Sequence, residues 1–244
     1  MSEKTDVLPL GPDGVLVRFS DSLSEPANRA ALAFHASMDA LQLPGISETA
    51  TSLTSVFLRF RPSELSRRAL EESVQEQLET QDWRAAPLPV GRTLWRVPVA
   101  FGGEHGPDLE ESADLAGVSS DTAVNQICAQ PLRVLALGFA PGQPYLGFLP
   151  SHWNISRKTD VNPEVPRGAI VAAVRQIIPF ANAAPTGWRQ IGRTAFRCHD
   201  PNLDPAIPLR PGDEMEFHSV SSREMNGLLE KAPAYGGAER APLP

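Results

Sequence analysis

The residue types best suited to forming a binding wall are concentrated in residues 138–150, Gly-Phe-Ala-Pro-Gly-Gln-Pro-Tyr-Leu-Gly-Phe-Leu-Pro. Glycine permits a positive φ and close approach of the backbone, while proline fixes φ and removes a donor. Interleaved with Phe139, Tyr145, Leu146, Phe148 and Leu149, they describe a rigid loop with apolar anchors, which an ordinary linker lacks. Two readings fit: one wall of a ligand site, or a stiff turn beneath a barrel. Tyr145 would then either point its hydroxyl into a pocket or pack at the base of the loop. Elsewhere, reactive side chains are scattered. His35, His105, His152, His199 and His218 have no metal-ligand spacing, and Cys128 and Cys198 form neither a disulfide framework nor a zinc site. There is no GxxxxGK[ST] phosphate loop, GxGxxG, HExxH or GxSxG.

The elements that must position this loop belong to a chain of 244 residues, enough for one large domain or two smaller ones. Apolar residues make up 41% and charged residues 21%, which fits a soluble globular protein. The net charge of −7, without a basic run, argues against a nucleic-acid surface. No apolar run is long enough to span a bilayer. The start, Met-Ser-Glu-Lys-Thr-Asp, has no apolar core after a basic segment, so the expectation is no signal peptide and a cytoplasmic protein.

In the first half, Val7–Leu10 and Val15–Phe19 read as strands around Gly11-Pro12-Asp13-Gly14, and Pro9 confines the first to a sheet edge. Ser22 and Glu25 have capping-box spacing, which predicts a helix over 26–41 whose Ala27, Ala31, Phe34, Met38 and Leu41 form one buried face. His35 lies beside that face and reads as a surface or half-buried residue. Strands at 46–50 and 53–60 and a helix at 64–80 complete an α+β layer over residues 1–90, read as a packing or assembly domain.

A boundary rich in proline and glycine at 82–93 precedes a strand at 94–100 and two short helices, the second capped by Ser119 or Ser120. A strand at 132–137 leads into the loop. Short strands follow at 169–174, 177–180, 188–191, 195–198 and 215–220, separated mostly by turns, and predict a β-barrel or sandwich over 91–220. Residues 221–244 read as a C-terminal tail with a short helix near 224–231 and a frayed end. The two cysteines read as buried small apolar residues.

The loop, together with Trp95–Gly103, Gly106-Pro107-Asp108-Leu109, Pro185–Thr194 and Leu209-Arg210-Pro211-Gly212-Asp213, closely resembles the 5-oxoprolinase B-subunit family (PxpB/KipI). That family is also called allophanate hydrolase subunit 1, or subdomains C and D of the carboxyltransferase domain. The resemblance covers roughly residues 8–218. It implies an α+β fold: a small N-terminal domain followed by a cyclophilin-like β-barrel. It also implies ATP-dependent opening of the 5-oxoproline lactam together with a PxpC-like subunit and PxpA, with ATP entering at the level of the complex. KipI-like members instead inhibit a sporulation histidine kinase, and homologous domains are fused inside urea carboxylase. The expected pocket-lining set is Gly138, Phe139, Pro141, Gly142, Pro144 and Tyr145 from the loop, with Gln176, Trp188, Gly192, Arg193 and Thr194. Arg193 is the best retained anion ligand, the alternative being a structural ion pair or carbonyl clamp. Trp188 reads as core or as a ligand platform, and His105 is the one histidine near a family motif.

The chain departs from the family pattern at several places. Gln143 and Phe148 stand where the loop usually has Phe and Gly. Ile127 takes the place of a histidine, Asn162 of an arginine and Ala169 of a serine, and Val171, Val174 and Arg175 occupy glycine positions. The stretch Gln176-Ile177-Ile178 keeps the family's glutamine but loses its Thr and Gly. Glycine amides can stabilise an oxyanion, and a histidine can move a proton. The substitutions therefore predict weakened chemistry unless a partner supplies the missing groups.

Overall fold

The computed structural model describes residues 4–243; the first three residues, on which the signal-peptide expectation partly rests, lie outside the described residues, as does Pro244. The chain divides into two units, residues 1–90 and 91–244.

In the first unit, β1 (Asp6–Leu10), β2 (Gly14–Arg18), α1 (Glu25–Ala40), β3 (Ile46–Thr51), β4 (Ser55–Phe60) and α2 (Arg67–Leu78) follow in order. The antiparallel sheet runs β1-β2-β4-β3, so Pro9 lies on an edge strand, where its missing donor costs least. Ala27, Ala30, Ala31, Phe34 and Met38 of α1 and Leu70 and Val74 of α2 join Val15, Val17, Val56 and Leu58 in one core. Phe34 packs edge-on against both Phe19 and Trp83, at 5.7 and 5.2 Å. The helix start differs from the capping-box expectation. Ser24, not Ser22, caps α1 by accepting from Ala27 N; the Ser22 hydroxyl, the group a cap would use, lies instead 3.3 Å from Ser20 Oγ. Ser66 likewise starts α2 later than the predicted residue 64. His35 bonds Thr49 across to β3.

The second unit contains β5 (Thr93–Phe101), α3 (Leu109–Leu115), α4 (Ser120–Cys128), β6 (Leu132–Leu137), β7 (Pro144–Gly147), β8 (Asn162–Val165), β9 (Ala169–Ala173), β10 (Gln176–Pro179), β11 (Ala184–Thr186), β12 (Arg189–Arg193), β13 (Glu214–Ser219), α5 (Ser222–Lys231) and β14 (Glu239–Pro242). Strands run β12-β9-β10-β7-β6-β13-β5, and β12 pairs again with β5, closing a seven-stranded barrel. Every barrel strand sends side chains to one shared core, among them Trp95, Val97, Leu132, Leu146, Ile170, Ile177, Ile191 and Phe217, joined by Leu109, Ala113, Ala123 and Ile127 of α3 and α4. Alternate residues of β9 and β10 instead join a second apolar cluster with Val165 and Trp188. Closure needs Gly192, because a Cβ there would lie 2.9 Å from Ala100 O. Asp213 ties the turn before β13 to the start of β5, its carboxylate accepting from Thr93 N and Arg210 N at 2.7 and 2.9 Å.

Two expectations are corrected here. Residues 195–198 are not a strand; their first turn bonds locally, Phe196 N donating to Thr194 Oγ1, so no ladder forms. The tail is not frayed over its described length. Residues 239–242 pair with residues 93–96 of β5, on an edge that β12 occupies only at Ala100 and Phe101, and an unpaired edge strand favours such capture. Among the described residues, no helix is long and apolar enough to cross a membrane.

Candidate functional site

The Gly138–Gln143 loop joins β6 to β7, its base closed by Gly138 N donating to Gln143 O. Gly142 has φ +72, and a Cβ there would lie 2.1 Å from Cys198 O, so the loop packs backbone against backbone. Gln143, a departure from the family pattern, is 2% exposed and accepts a hydrogen bond from Ala181 N through Oε1. Pro144 is buried beside it, whereas Gly138 is half-buried and Pro141 exposed. Phe139 does not anchor the loop: at φ +70 on the turn, it is 75% exposed.

The other expected residues fall into two groups. Tyr145 packs half-buried on the second cluster, and Trp188 is buried within it, the Arg157 guanidinium 5.2 Å over its ring. Gln176 is out of phase with the core residue Ile177 and so lies on the face of Ile178. It is 5% exposed, with Nε2 lacking a hydrogen-bond partner among the described residues. Arg193 and Thr194 lie where β12 ends, at a cleft of about 70 Å³. The loop meets the chain at Cys198, just past the cleft-lining residues 193–197, while Trp188 and Tyr145 belong with the second cluster.

In the cleft, Arg193 stands with Arg167 and Arg197 against Leu228 and Leu229 of α5. Arg197 donates to Asp200 Oδ2 at 2.8 Å and, with Asn202, holds that carboxyl below its ordinary pKa. The Arg193 and Arg167 side chains make no ion pair or hydrogen bond among the described residues, and Arg193 Nε is buried. No spacing in the sequence joins Arg167 and Arg197 to Arg193, and α5 falls in a stretch that reads as tail, so the cleft is not visible as a pattern.

A second charged group also escapes sequence reasoning. Asp108 Oδ1 accepts from Lys158 Nζ at 2.9 Å, and Asp108 Oδ2 from Gln190 N at 2.8 Å. Arg189 donates to Ser156 O and to Glu111 Oε1, the latter at 3.0 Å. The Gln190 amide donates to His105 O, which pins the glycine-rich turn to β12. His105 is buried, its Nε2 3.5 Å from Glu104. Asp108 and Arg189 sit inside the recognisable motif stretches, but Glu111 and Lys158 carry no such signal. Two cations meet two carboxylates, and the group serves as a clamp.

The substituted positions are absorbed by the fold. Ile127 is fully buried in the barrel core, and Ala169 and Val171 in the second cluster. Val174 and Arg175 make the two-residue turn between β9 and β10, at φ +45 and +64. Their amides donate to Ile155 O and Trp153 O at 2.9 and 3.0 Å. The oxyanion reading of those two positions is therefore corrected. Glycine suits them because the turn needs positive φ, and the N–H groups are already engaged. Asn162 is half-buried in β8. Burial pushes the thiols up, Cys128 to about 11 and Cys198 to about 12; Cys198 is buried and Cys128 partly so.

Comparison with known proteins agrees with this fold. Residues 5–209 match the family model described as carboxyltransferase domain, subdomain C and D. The chain is 28% identical over 246 aligned residues to the 5-oxoprolinase B subunit of Bacillus subtilis (strain 168), covering 95% of this chain and 100% of that one. It is 33% identical to the protein of the same name from Escherichia coli O157:H7, over 72% of this chain and 79% of that one. A crystal structure of TTHA0988 superposes with a TM-score of 0.71 at 29% identity, over 86% of this chain, which spans only 40% of the length of that one. The chain belongs to the family of carboxyltransferase domain subdomains C and D, with B subunits of 5-oxoprolinase among its relatives.

Proposed function

We propose that this chain is the B-type subunit of a 5-oxoprolinase complex, acting with a PxpC-like subunit and PxpA in ATP-dependent opening of the 5-oxoproline lactam. The observation that carries this reading is the match along nearly the whole chain to a protein named as the B subunit of 5-oxoprolinase. A lactam amide is resonance-stabilised, so its opening needs the carbonyl oxygen activated, and ATP would supply that activation at the level of the complex. This chain's contribution is a rigid barrel end. The Gly142 backbone packs on Cys198 and the Gln143 side chain holds Ala181 N, and Arg193, in the cleft at the end of β12, offers a cation to an anionic group. Mixing the purified chain with both partners and measuring 5-oxoproline-dependent ATP hydrolysis tests the proposal. Turnover that disappears when this chain is omitted is expected; no turnover with every subunit present would overturn it.

One observation favours a second reading, a catalytically silent regulator that binds a protein such as a histidine kinase. Positions 127, 169 and 171 carry only hydrocarbon, and the amides of 174 and 175 are committed to internal bonds. Co-purification with a kinase, together with no turnover in the full mixture, would select that reading.

A further inference from the structure

We propose that the cleft formed by Arg167, Arg193 and Arg197 against α5 is a binding site for the carboxylate of a small organic acid. The inference rests on the cleft alone and not on the oxoprolinase reading.

Charge is the first argument. The chain carries −7 overall, yet three arginines line this one cleft. Asp200 engages Arg197 alone, leaving the charges of Arg167 and Arg193 without a counter-ion among the described residues. Like charges lining one cleft repel, and an anion placed among them removes that cost. The C-terminal end of α5 also borders the cleft, at Leu228, Leu229 and Ala232. Its partial negative charge is roughly half a unit, less than either unpaired arginine supplies.

Shape and donor geometry then narrow the ligand. A volume of about 70 Å³ is far below the roughly 300 Å³ at which pockets for drug-sized ligands begin. The cleft therefore encloses no more than a head group with a short body. The amides of Gly168, Thr194 and Phe196 are spent on Phe180 O, Gly168 O and Thr194 Oγ1. These three amides are thus unavailable for a tetrahedral phosphate to bind as it does in a nest of N–H groups. The cleft presents planar guanidinium forks, which match a planar carboxylate, and the Leu228 and Leu229 side chains, which match a short aliphatic body.

The test is calorimetric titration of the full chain with propionate, with propionamide as the neutral isostere and inorganic phosphate as the tetrahedral competitor. Saturable binding of propionate but not propionamide is expected. Arg193→Gln should weaken it by about 10- to 100-fold, the loss of a charge-assisted hydrogen bond. Arg167→Gln, on an exposed residue that leaves folding intact, should weaken it as well, and Arg193→Lys should restore part of the affinity. No saturable propionate binding by the unmodified chain overturns the proposal. So does affinity unchanged in Arg167→Gln and Arg193→Gln, or tighter binding of phosphate than of propionate. None of these outcomes depends on whether the oxoprolinase assay succeeds.

Discussion

Two arginine-bearing regions of the barrel unit differ in one respect. Around Arg189, each cation has its carboxylate: Lys158 lies 2.9 Å from Asp108, and Arg189 lies 3.0 Å from Glu111. Around Arg193, among the described residues, Asp200 answers Arg197 and no carboxylate pairs with Arg193 or Arg167. The first arrangement fastens the β5–α3 turn and the 156–158 segment onto β12. The second leaves charge open at the end of the same strand. An arginine that the fold itself neutralises serves the fold, while one held without a counter-ion is available to a ligand.

Substitution should separate the two regions most strongly through stability. Asp108→Ala removes the Lys158 partner and leaves Gln190 N unpaired, and should cost about 3 kcal/mol in urea unfolding. Arg193→Gln should not destabilise the unliganded chain, and should raise its stability by up to about 1 kcal/mol, since an unanswered charge is removed and no internal contact of it is lost. An equal loss in both would collapse the distinction. Asp213→Ala should fall next, at about 2 kcal/mol, because two backbone donors lose their acceptor. Burial raises the Asp213 carboxyl pKa. Its protonated form is therefore favoured by folding, and its own titration lowers stability as pH climbs from the ordinary carboxylate value. Asp213→Ala should remove that slope, and a slope left unchanged would place its origin in other groups.

A smaller effect of opposite sign is expected at the β9–β10 turn. Val174 is β-branched, sits at φ +45 and is 38% exposed. Val174→Asn should stabilise the unit by about 1 kcal/mol by relieving left-handed strain at little cost in burial. A destabilised variant would mean that the valine side chain contributes packing. The smallest signal belongs to the thiols. With pKa values of about 11 and 12 for Cys128 and Cys198, alkylation by iodoacetamide should be slow at pH 8. It should keep rising with pH through pH 10, about tenfold per unit, without a plateau; a plateau near pH 8 would contradict the burial argument.

The sequence carried the elements whose determinants are local. The Ala27–Met38 face, the edge position forced by Pro9 and most of the barrel strands are legible, because side-chain periodicity and missing donors act within a few residues; Leu41, expected on that face, is 45% exposed past the helix end, and β7 forms inside the stretch that reads as loop. What was not legible depended on distant partners. Residues 239–242 form a strand only because β5 offers them an edge. Ser24 rather than Ser22 caps α1, the Ser22 hydroxyl being drawn to Ser20 Oγ. Arg193 stood out through its motif, but Arg167, Arg197 and α5 reach it only through the fold. Gln143, which in sequence looked like erosion of the loop, is a buried strut to Ala181.

The central claim is that the Arg193 cleft is open for a carboxylate while the Arg189 group is closed, and ligand-dependent stability tests it most directly. Unfolding in urea can be followed by tryptophan fluorescence, to which this unit contributes Trp95, Trp153 and Trp188. With rising propionate, the midpoint of the unmodified chain and of Asp108→Ala should climb in parallel, while that of Arg193→Gln stays flat. A rise in Arg193→Gln equal to that of the unmodified chain, or no rise in any of the three, would contradict the account.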